Sequence, residues 1–530
     1  MTNGEVASAA WNPEFSPTIA SVFRRGYVEF ADRPAVFELD GSVTTYAELG
    51  RAARRLVSGI DAAGIRKGDR VVVLTKNRSE CFTIDHALAI GGFVRVALSY
   101  RLHAREVTEI ISDCGASLVI IDGERAHDLL PELAGFEGVV VCLDRVEGVR
   151  HFSELVGDVE ADDVDIRPSD LVWMPYTSGT SGRPKGVMHS HRSLLAILRN
   201  IAAELPDASA DDRLVHVAPV THLSGYAMMV YFLKGASHLA LGEFSPAEYL
   251  SVVERTGATV LPLVPTMINM LLPVVDERKP DLSAVRTVIY GGSAIAPDRL
   301  ARAIAAFGPV FIQYYGLTEM PYNASLSMSD HVFDPALPAP RRLASAGHVS
   351  PYVDYRLVDD DEEPVAVGDP GELQVRGDAG MVGYWNLPDE TAKTILPGGW
   401  ISTGDVGQLI DGFLTIVDRK KNMIVSGGFN VYPTEVENVI YTIEAVHEVA
   451  VVGIPSAQWG ETIHAVVSLK PGHELTLEEI DRVCLGALAA YKRPRSVEFV
   501  DELPKTGTGK ILHREIRERY WQGQQRRVGG

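Results

Sequence analysis

The chain has 530 residues, 46% hydrophobic, 23% charged and 8% aromatic, with 70 acidic against 50 basic side chains and a formal net charge of −20. That length exceeds one hydrophobic core, so two or more domains are expected, and the composition excludes a disordered chain. The negative balance repels polyanions, which excludes nucleic acid as the main partner; an anionic ligand must be held by local basic or backbone groups. Cys81, Cys114, Cys142 and Cys484 are scattered without a CxxC pair. This argues against a disulfide framework or zinc site and fits a reducing cytoplasm. The first residues lack a basic start followed by an apolar run, so no signal peptide is expected.

In chain order, short β-branched runs alternate with helix-period segments, the pattern of an α/β fold with parallel sheets. RVVVLT (70–75), SLVIID (117–122), GVVVCLD (138–144) and LVWMPY (171–176) read as strands. The last leads into a glycine-rich loop, after which Ser190 caps a helix, HRSLLAILRNIAAEL. A second alternation follows: SPAEYLSVVERTG as helix, TVLPLVP and VRTVIYGGS as strands, APDRLARAIAAFG as helix and VFIQYYG as strand. The longest apolar stretch, 257–275, carries three prolines and reads as a buried strand followed by a helix, not a membrane span. From about 340 to 418 the helical signal fades into short strands and turns, a small β subdomain. After Lys421 a new α/β pattern runs to a last basic helix.

The loop itself, YTSGTSGRPKG (176–186), is not a Walker A sequence. Its glycines let successive N–H groups point into one concavity, its hydroxyls add donors, and Lys185 adds a cation, a set that suits a polyphosphate. Taken alone, it reads equally well as a turn joining a strand to a helix.

Together with four further segments, the loop resembles the adenylate-forming (AMP-binding) superfamily, of the acyl-CoA and aryl-CoA synthetase type. The other segments are QYYGLTE (313–319), STGDVG (402–407), DRKKNMIVSGGFNVYPTEVE (418–437) and PKTGTGK (504–510), with lesser matches at RLHAREV, GELQVRG and GYWNLPDET. The resemblance spans nearly the whole chain. It implies a large N-terminal domain (1–418) of two doubly wound, parallel-type sheets plus a small β-barrel-like subdomain. A hinge (419–421, with Lys421 as the pivot) and a small mobile α+β C-terminal domain (422–530) follow.

It also implies a reaction. A carboxylate resists attack, so it is first joined to AMP with release of pyrophosphate, and the site must chiefly neutralise charge. Carried over residue by residue, Thr177, Ser178, Gly179, Thr180, Ser181, Gly182 and Lys185 hold the β- and γ-phosphates, and Thr318 the α-phosphate. Glu319 binds Mg²⁺, Tyr315 stacks on adenine, and Asp405 and Arg419 bind the ribose. Gly292 and Ser293 border the nucleotide, and Lys510 reaches the carboxylate and α-phosphate. His222 borders the carboxylate, with a buried structural histidine as the plain alternative. Gly292, Tyr314 and Gly316 line the acid pocket. Acetate-type relatives carry tryptophan at the place of Gly316, so a glycine leaves the pocket open. Tyr314, where many long-chain members have glycine, narrows one wall and offers a hydroxyl.

The acceptor is read from Ser426, Gly427 and Gly428, which resemble a loop bordering the CoA path. The basic clusters 419–421 and 491–495 serve either CoA phosphates or a solvated face. The reading is thus an ATP-, Mg²⁺- and CoA-dependent ligase of a medium-sized aliphatic, cyclic or aromatic acid, cytoplasmic, monomeric or homodimeric. Two alternatives stay open: an adenylating enzyme serving an amine, a carrier thiol or another oxyacid such as nitrite, and a nucleotide-binding regulator on an inactive scaffold. A regulator has no need of Lys510.

Overall fold

The computed structural model describes residues 17–178, 184–205, 207–334, 336–426, 429–456, 458–505 and 511–522. Their strands gather into four sheets. In one nine-stranded sheet, Arg70–Leu74, Val94–Ala97, Leu118–Ile121 and Val139–Cys142 run parallel. Alternation along Arg70–Leu74 sends Val71 and Val73 to one core and Val72 and Leu74 to another, so both faces are covered.

The second nine-stranded sheet is built the same way from Arg213–His216, Ser237–Ala240, Val260–Leu263, Thr287–Gly291 and Phe311–Leu317. Val260 and Ile289 face the core that Val71 enters, while Leu261 and Val288 face an outer helix layer. One core therefore lies between the two sheets. The helices Tyr46–Ala62, Glu80–Gly91 and Leu223–Phe232 fill it. Tyr46–Ala62 buries Leu49, Ala53, Leu56 and Ile60 at helical spacing, and Thr45 and Glu48 close its first turn with a reciprocal capping box. This is the doubly wound α/β class that the alternating pattern predicts. The 257–275 stretch folds as the strand Val260–Leu263 and the helix Pro265–Arg278, with Pro265 in the first turn, where a missing N–H is harmless. Among the described residues no helix is long and apolar enough to cross a membrane.

The small subdomain is a five-stranded antiparallel sheet. Its long strand Trp400–Ile410 pairs in turn with Gly371–Arg376, Ile395–Leu396 and Phe413–Arg419. The turn Lys420–Asn422 leads into a second five-stranded sheet, centred on the hairpin Val446–Ser456 and Gly460–Leu469. The helices Pro433–Ile440 and Leu477–Ala487 cover one face, and His513–Tyr520 the other.

The four cysteines are free and buried. Five buried histidines carry a pH consequence. Desolvation pushes His86 and His216 from the ordinary 6.5 down to about 3, and His189, His191 and His331 down to about 4. In the unfolded chain these imidazoles take up protons as pH falls through 6.5, which the folded state refuses until about 4 or 3, so their contribution is complete above 6.5 and lost below it. The urea midpoint is expected to fall steeply between pH 6.5 and 4, each buried imidazole contributing a loss on the order of 1–2 kcal/mol at pH 5. A midpoint flat across that window would contradict their burial as neutral groups.

Candidate active site

The glycine-rich loop is not the strand-to-helix link expected from sequence. Tyr176–Ser178 and Pro184–Ser190 form an antiparallel hairpin with Lys185 opposite Thr177. The run after the loop stays extended because Val187 and Met188 pair with Tyr384 and Gly383, and His189 and Ser190 pair with Trp173 and Leu171. The helix starts only at His191, where Ser190 does cap it by accepting from the Ser193 N–H. Gly179, Thr180, Ser181 and Gly182 lie outside the described residues, as do Gly427, Gly428 and Lys510, and the Ser178 side chain is likewise not described.

Thr318 and Glu319 form the two-residue turn between the antiparallel strands Phe311–Leu317 and Met320–Leu326. His189 Nε2 donates to the Thr318 carbonyl at 2.8 Å. The Met381 N–H donates to the Glu319 carbonyl at 2.8 Å, and the Tyr384 hydroxyl donates to Glu319 Oε1 at 2.6 Å. Burial lowers the pKa of His189 to about 4, although its bond to the Thr318 carbonyl opposes that shift.

Three residues before the turn, Tyr315 donates its hydroxyl to Asp405 Oδ2 at 2.7 Å. Arg419 stands directly across the ladder from Asp405 and places Nε 3.1 Å from Oδ1. Burial together with the Asp405 carboxylate raises the Tyr315 phenol well above its ordinary value, so it stays a donor. Lys185 reaches Glu390 Oε2 at 2.5 Å and lies 5.1 Å from the Tyr384 ring centroid. Glu390 also accepts from Lys393 at 2.9 Å, and the Lys185 and Lys393 hydrogen bonds hold its carboxyl down at about 2. The fold thus brings Thr177, Lys185, Thr318 and Glu319 together through His189 and Tyr384, and groups Tyr315, on the strand that leads into the same turn, with Asp405 and Arg419. No motif role in the sequence falls on His189, Tyr384 or Glu390. GYWNLPDET was a visible signal for the last two, but nothing in it says which side chains they meet.

The acid-pocket residues fare differently. Gly292 has φ +81° and open space where a Cβ would stand, and its neighbour Gly291 pairs with Tyr314. Ser293 follows at half-burial. Tyr314, expected to offer a hydroxyl to the pocket, is only 5% exposed, packs edge-on against Tyr322 with centroids 5.1 Å apart, and has no partner for its hydroxyl among the described residues. Gly316 is exposed, but a Cβ there would lie 2.2 Å from the Pro321 carbonyl oxygen. It is glycine because two backbones meet at an irregular strand pair, not only because a pocket is left open.

His222 is solvent-exposed in the turn that precedes the helix Leu223–Phe232. Thr221 Oγ1 bonds its Nδ1 at 2.8 Å, and burial with nearby Arg95 lowers its pKa. Among the described residues no hydrogen bond links it to Thr318, Glu319 or Asp405.

In the C-terminal sheet Ser426 stands opposite Phe429 and Gly460, and Phe429, 55% exposed, stacks on Tyr491 at 4.7 Å. The nearby cations have carboxylate partners: Lys420 on Glu372 and Asp360, Lys492 on Glu435, Arg493 on Asp481. The Lys421 carbonyl accepts from Arg517.

Two substitutions test this geometry. Gly316→Ala is expected to destabilise the fold by about 1–3 kcal/mol through overpacking, read as a lower unfolding midpoint. An unshifted midpoint would mean that the strands separate easily. Tyr384→Phe leaves packing intact but frees Glu319, and is expected to cut activity about tenfold with an unchanged melting temperature; full activity would show the clamp to be dispensable.

The AMP-binding enzyme family matches residues 23–385, and the C-terminal domain of AMP-binding enzymes matches residues 435–510. The chain is 37% identical to a feruloyl-CoA synthase of Amycolatopsis sp. over 91% of its length and 94% of the relative's. It is 35% identical to a medium/long-chain-fatty-acid–CoA ligase of Mycobacterium tuberculosis over 94% and 89%. Its fold is similar to that of the amide bond synthetase McbA from Marinactinospora thermotolerans, with a TM-score of 0.85 and 28% identity, covering 95% of this chain and all of that one. A polar cluster assembled from segments hundreds of residues apart, both family domains in order and relatives matched almost end to end lead to one conclusion: the protein belongs to the AMP-binding enzyme family, in its acyl-CoA and aryl-CoA synthetase group.

Proposed function

We propose that the protein is an ATP-dependent carboxylic acid:CoA ligase that joins an acid to AMP, releases pyrophosphate and passes the acyl group to the CoA thiol. The observation that carries this reading is the tie of Tyr315, on the strand leading into the turn of Thr318 and Glu319, to Asp405 and through it to Arg419, while His189 of the Lys185 hairpin holds the turn itself. Thr177 and Lys185 then hold the β- and γ-phosphates, with the remaining loop residues from Ser178 to Gly182. Thr318 meets the α-phosphate, Gly292 and Ser293 border it, and Tyr315 offers its ring to adenine while its hydroxyl stays anchored on Asp405. Asp405 and Arg419 face the ribose hydroxyls.

Glu319, a carboxylate held by one oxygen on Tyr384, suits Mg²⁺, which supplies charge neutralisation between phosphates. Lys510 adds its charge at the reacting centre, and His222 lines the path of the acid and of CoA past Ser426, Gly427 and Gly428. The domain limits 1–418, 419–421 and 422–530 fit a chain that leaves the Phe413–Arg419 strand through the short turn at Lys420–Asn422. In this reading Lys421 is the pivot.

The substrate is a medium-sized acid, aliphatic, cyclic or aromatic. The feruloyl and medium- to long-chain activities named for the two relatives support that range. A second reading keeps the adenylation and delivers the acyl group to an amine, as the amide bond synthetase of similar fold suggests.

A panel of carboxylic acids assayed for AMP and pyrophosphate, with and without CoA, tests the proposal. AMP, pyrophosphate and a CoA thioester are expected with aromatic or medium-chain acids ahead of acetate. In the Lys510→Ala variant adenylation is expected to fall more than about a hundredfold, while a supplied acyl-adenylate still yields thioester. ADP and phosphate as products would refute the reading, and CoA-independent transfer to an amine would establish the second.

A further inference from the structure

Lys185 is only 8% exposed, yet its ammonium has a close anionic partner that no polyphosphate requirement explains. Glu390 Oε2 sits 2.5 Å from Lys185 Nζ. The glutamate is carried on the short helix Pro388–Thr394. That helix is tied back to the same site, because Thr391 Oγ1 accepts from the Tyr384 N–H at 2.9 Å and donates to the Leu387 carbonyl. Tyr384 in turn places its ring against the Lys185 ammonium and its hydroxyl on Glu319. The carboxylate is therefore aimed at Lys185 by the fold and is no chance surface pairing. Its other oxygen is held by Lys393 at 2.9 Å, and the Lys393 side chain is 73% exposed.

We infer that Glu390 is a displaceable counter-ion for Lys185, a positioning residue that competes with the pyrophosphate end of the nucleotide and hastens pyrophosphate release. The inference rests on the reading of Lys185 as a phosphate-holding residue. Without an anion beside it, a nearly buried ammonium loses hydration that nothing replaces. Glu390 holds it in place while no nucleotide is bound. A polyphosphate and a carboxylate cannot both sit within hydrogen-bond distance of one ammonium without repelling each other, so ATP displaces Glu390. The displaced carboxylate stays neutralised by Lys393 at the solvent edge, which makes the exchange inexpensive in both directions. When pyrophosphate begins to leave, Glu390 recaptures Lys185 and blocks its rebinding. No bond is made or broken in this step; only the partner of Lys185 changes.

The test is Glu390→Gln, which keeps the volume and a hydrogen bond to Lys185 but removes the charge. Product inhibition by inorganic pyrophosphate and by AMP is measured alongside the KM for ATP. The variant is expected to lower the KM for ATP and the inhibition constant for pyrophosphate by about threefold to tenfold, as removal of one partly exposed ion-pair competitor implies. Inhibition by AMP, which lacks the β- and γ-phosphates, stays unchanged. Unchanged or weaker pyrophosphate inhibition, or equal shifts for pyrophosphate and AMP, would overturn the inference and leave Glu390 a structural residue. In a Lys185→Ala background the effect of Glu390→Gln is expected to vanish, and its persistence would also overturn the inference. If Lys185→Ala itself leaves the KM for ATP unaltered, the underlying phosphate reading fails, an outcome separate from those set by Glu390.

Discussion

Thr318 and Glu319 sit on a two-residue turn whose two carbonyls are each taken by a different part of the chain. The Thr318 carbonyl accepts from His189 on the hairpin, and the Glu319 carbonyl accepts from the Met381 N–H. Tyr384 completes the arrangement by holding the Glu319 carboxylate. A turn this short has no spare backbone to adjust, so its direction follows from the register of three segments. The hairpin that carries Lys185 is set by its pairing with Tyr384, and the Tyr315 hydroxyl is set by the strand that leads into the turn.

In the proposed reading, a chain of net charge −20 has to hold a polyanion. Long-range attraction is absent, and the described cations around the site are already matched: Lys185 with Glu390, Arg419 with Asp405, Lys420 with Glu372. In the proposed reading, affinity for phosphate comes from exchange of one anion for another at short range, where a partly desolvated ammonium or guanidinium interacts most strongly. Such an arrangement favours ligands whose oxygens reach the same points as the carboxylates they replace. It also holds the cations in place between ligands, at a modest energetic cost.

The junction between the large and small domains follows the same logic. Asp418 is buried, which pushes its carboxyl pKa up, and its oxygens accept from the Arg419 N–H, the Asn422 amide and the Thr434 N–H and hydroxyl. A single carboxylate thus links the last strand of the small subdomain to the first helix beyond the turn. The Arg517 bond to the Lys421 carbonyl adds a second tie from the final helix.

Much of this was legible in the residues alone. Alternating β-branched runs and helical periods specified parallel sheets covered on both faces, and Ser190 announced its helix, because periodicity and capping are local properties of the chain. The ordered motifs likewise carried the family resemblance that implies ligase chemistry. Tertiary structure alone decided that the glycine-rich loop closes a hairpin, that Tyr314 is spent in the core, that Gly316 is backed by the Pro321 carbonyl, and that Lys185 is matched by Glu390. Those outcomes depend on which distant strands become neighbours and in what register. Burial and the identity of a counter-ion are set by long-range packing, and no local pattern encodes them.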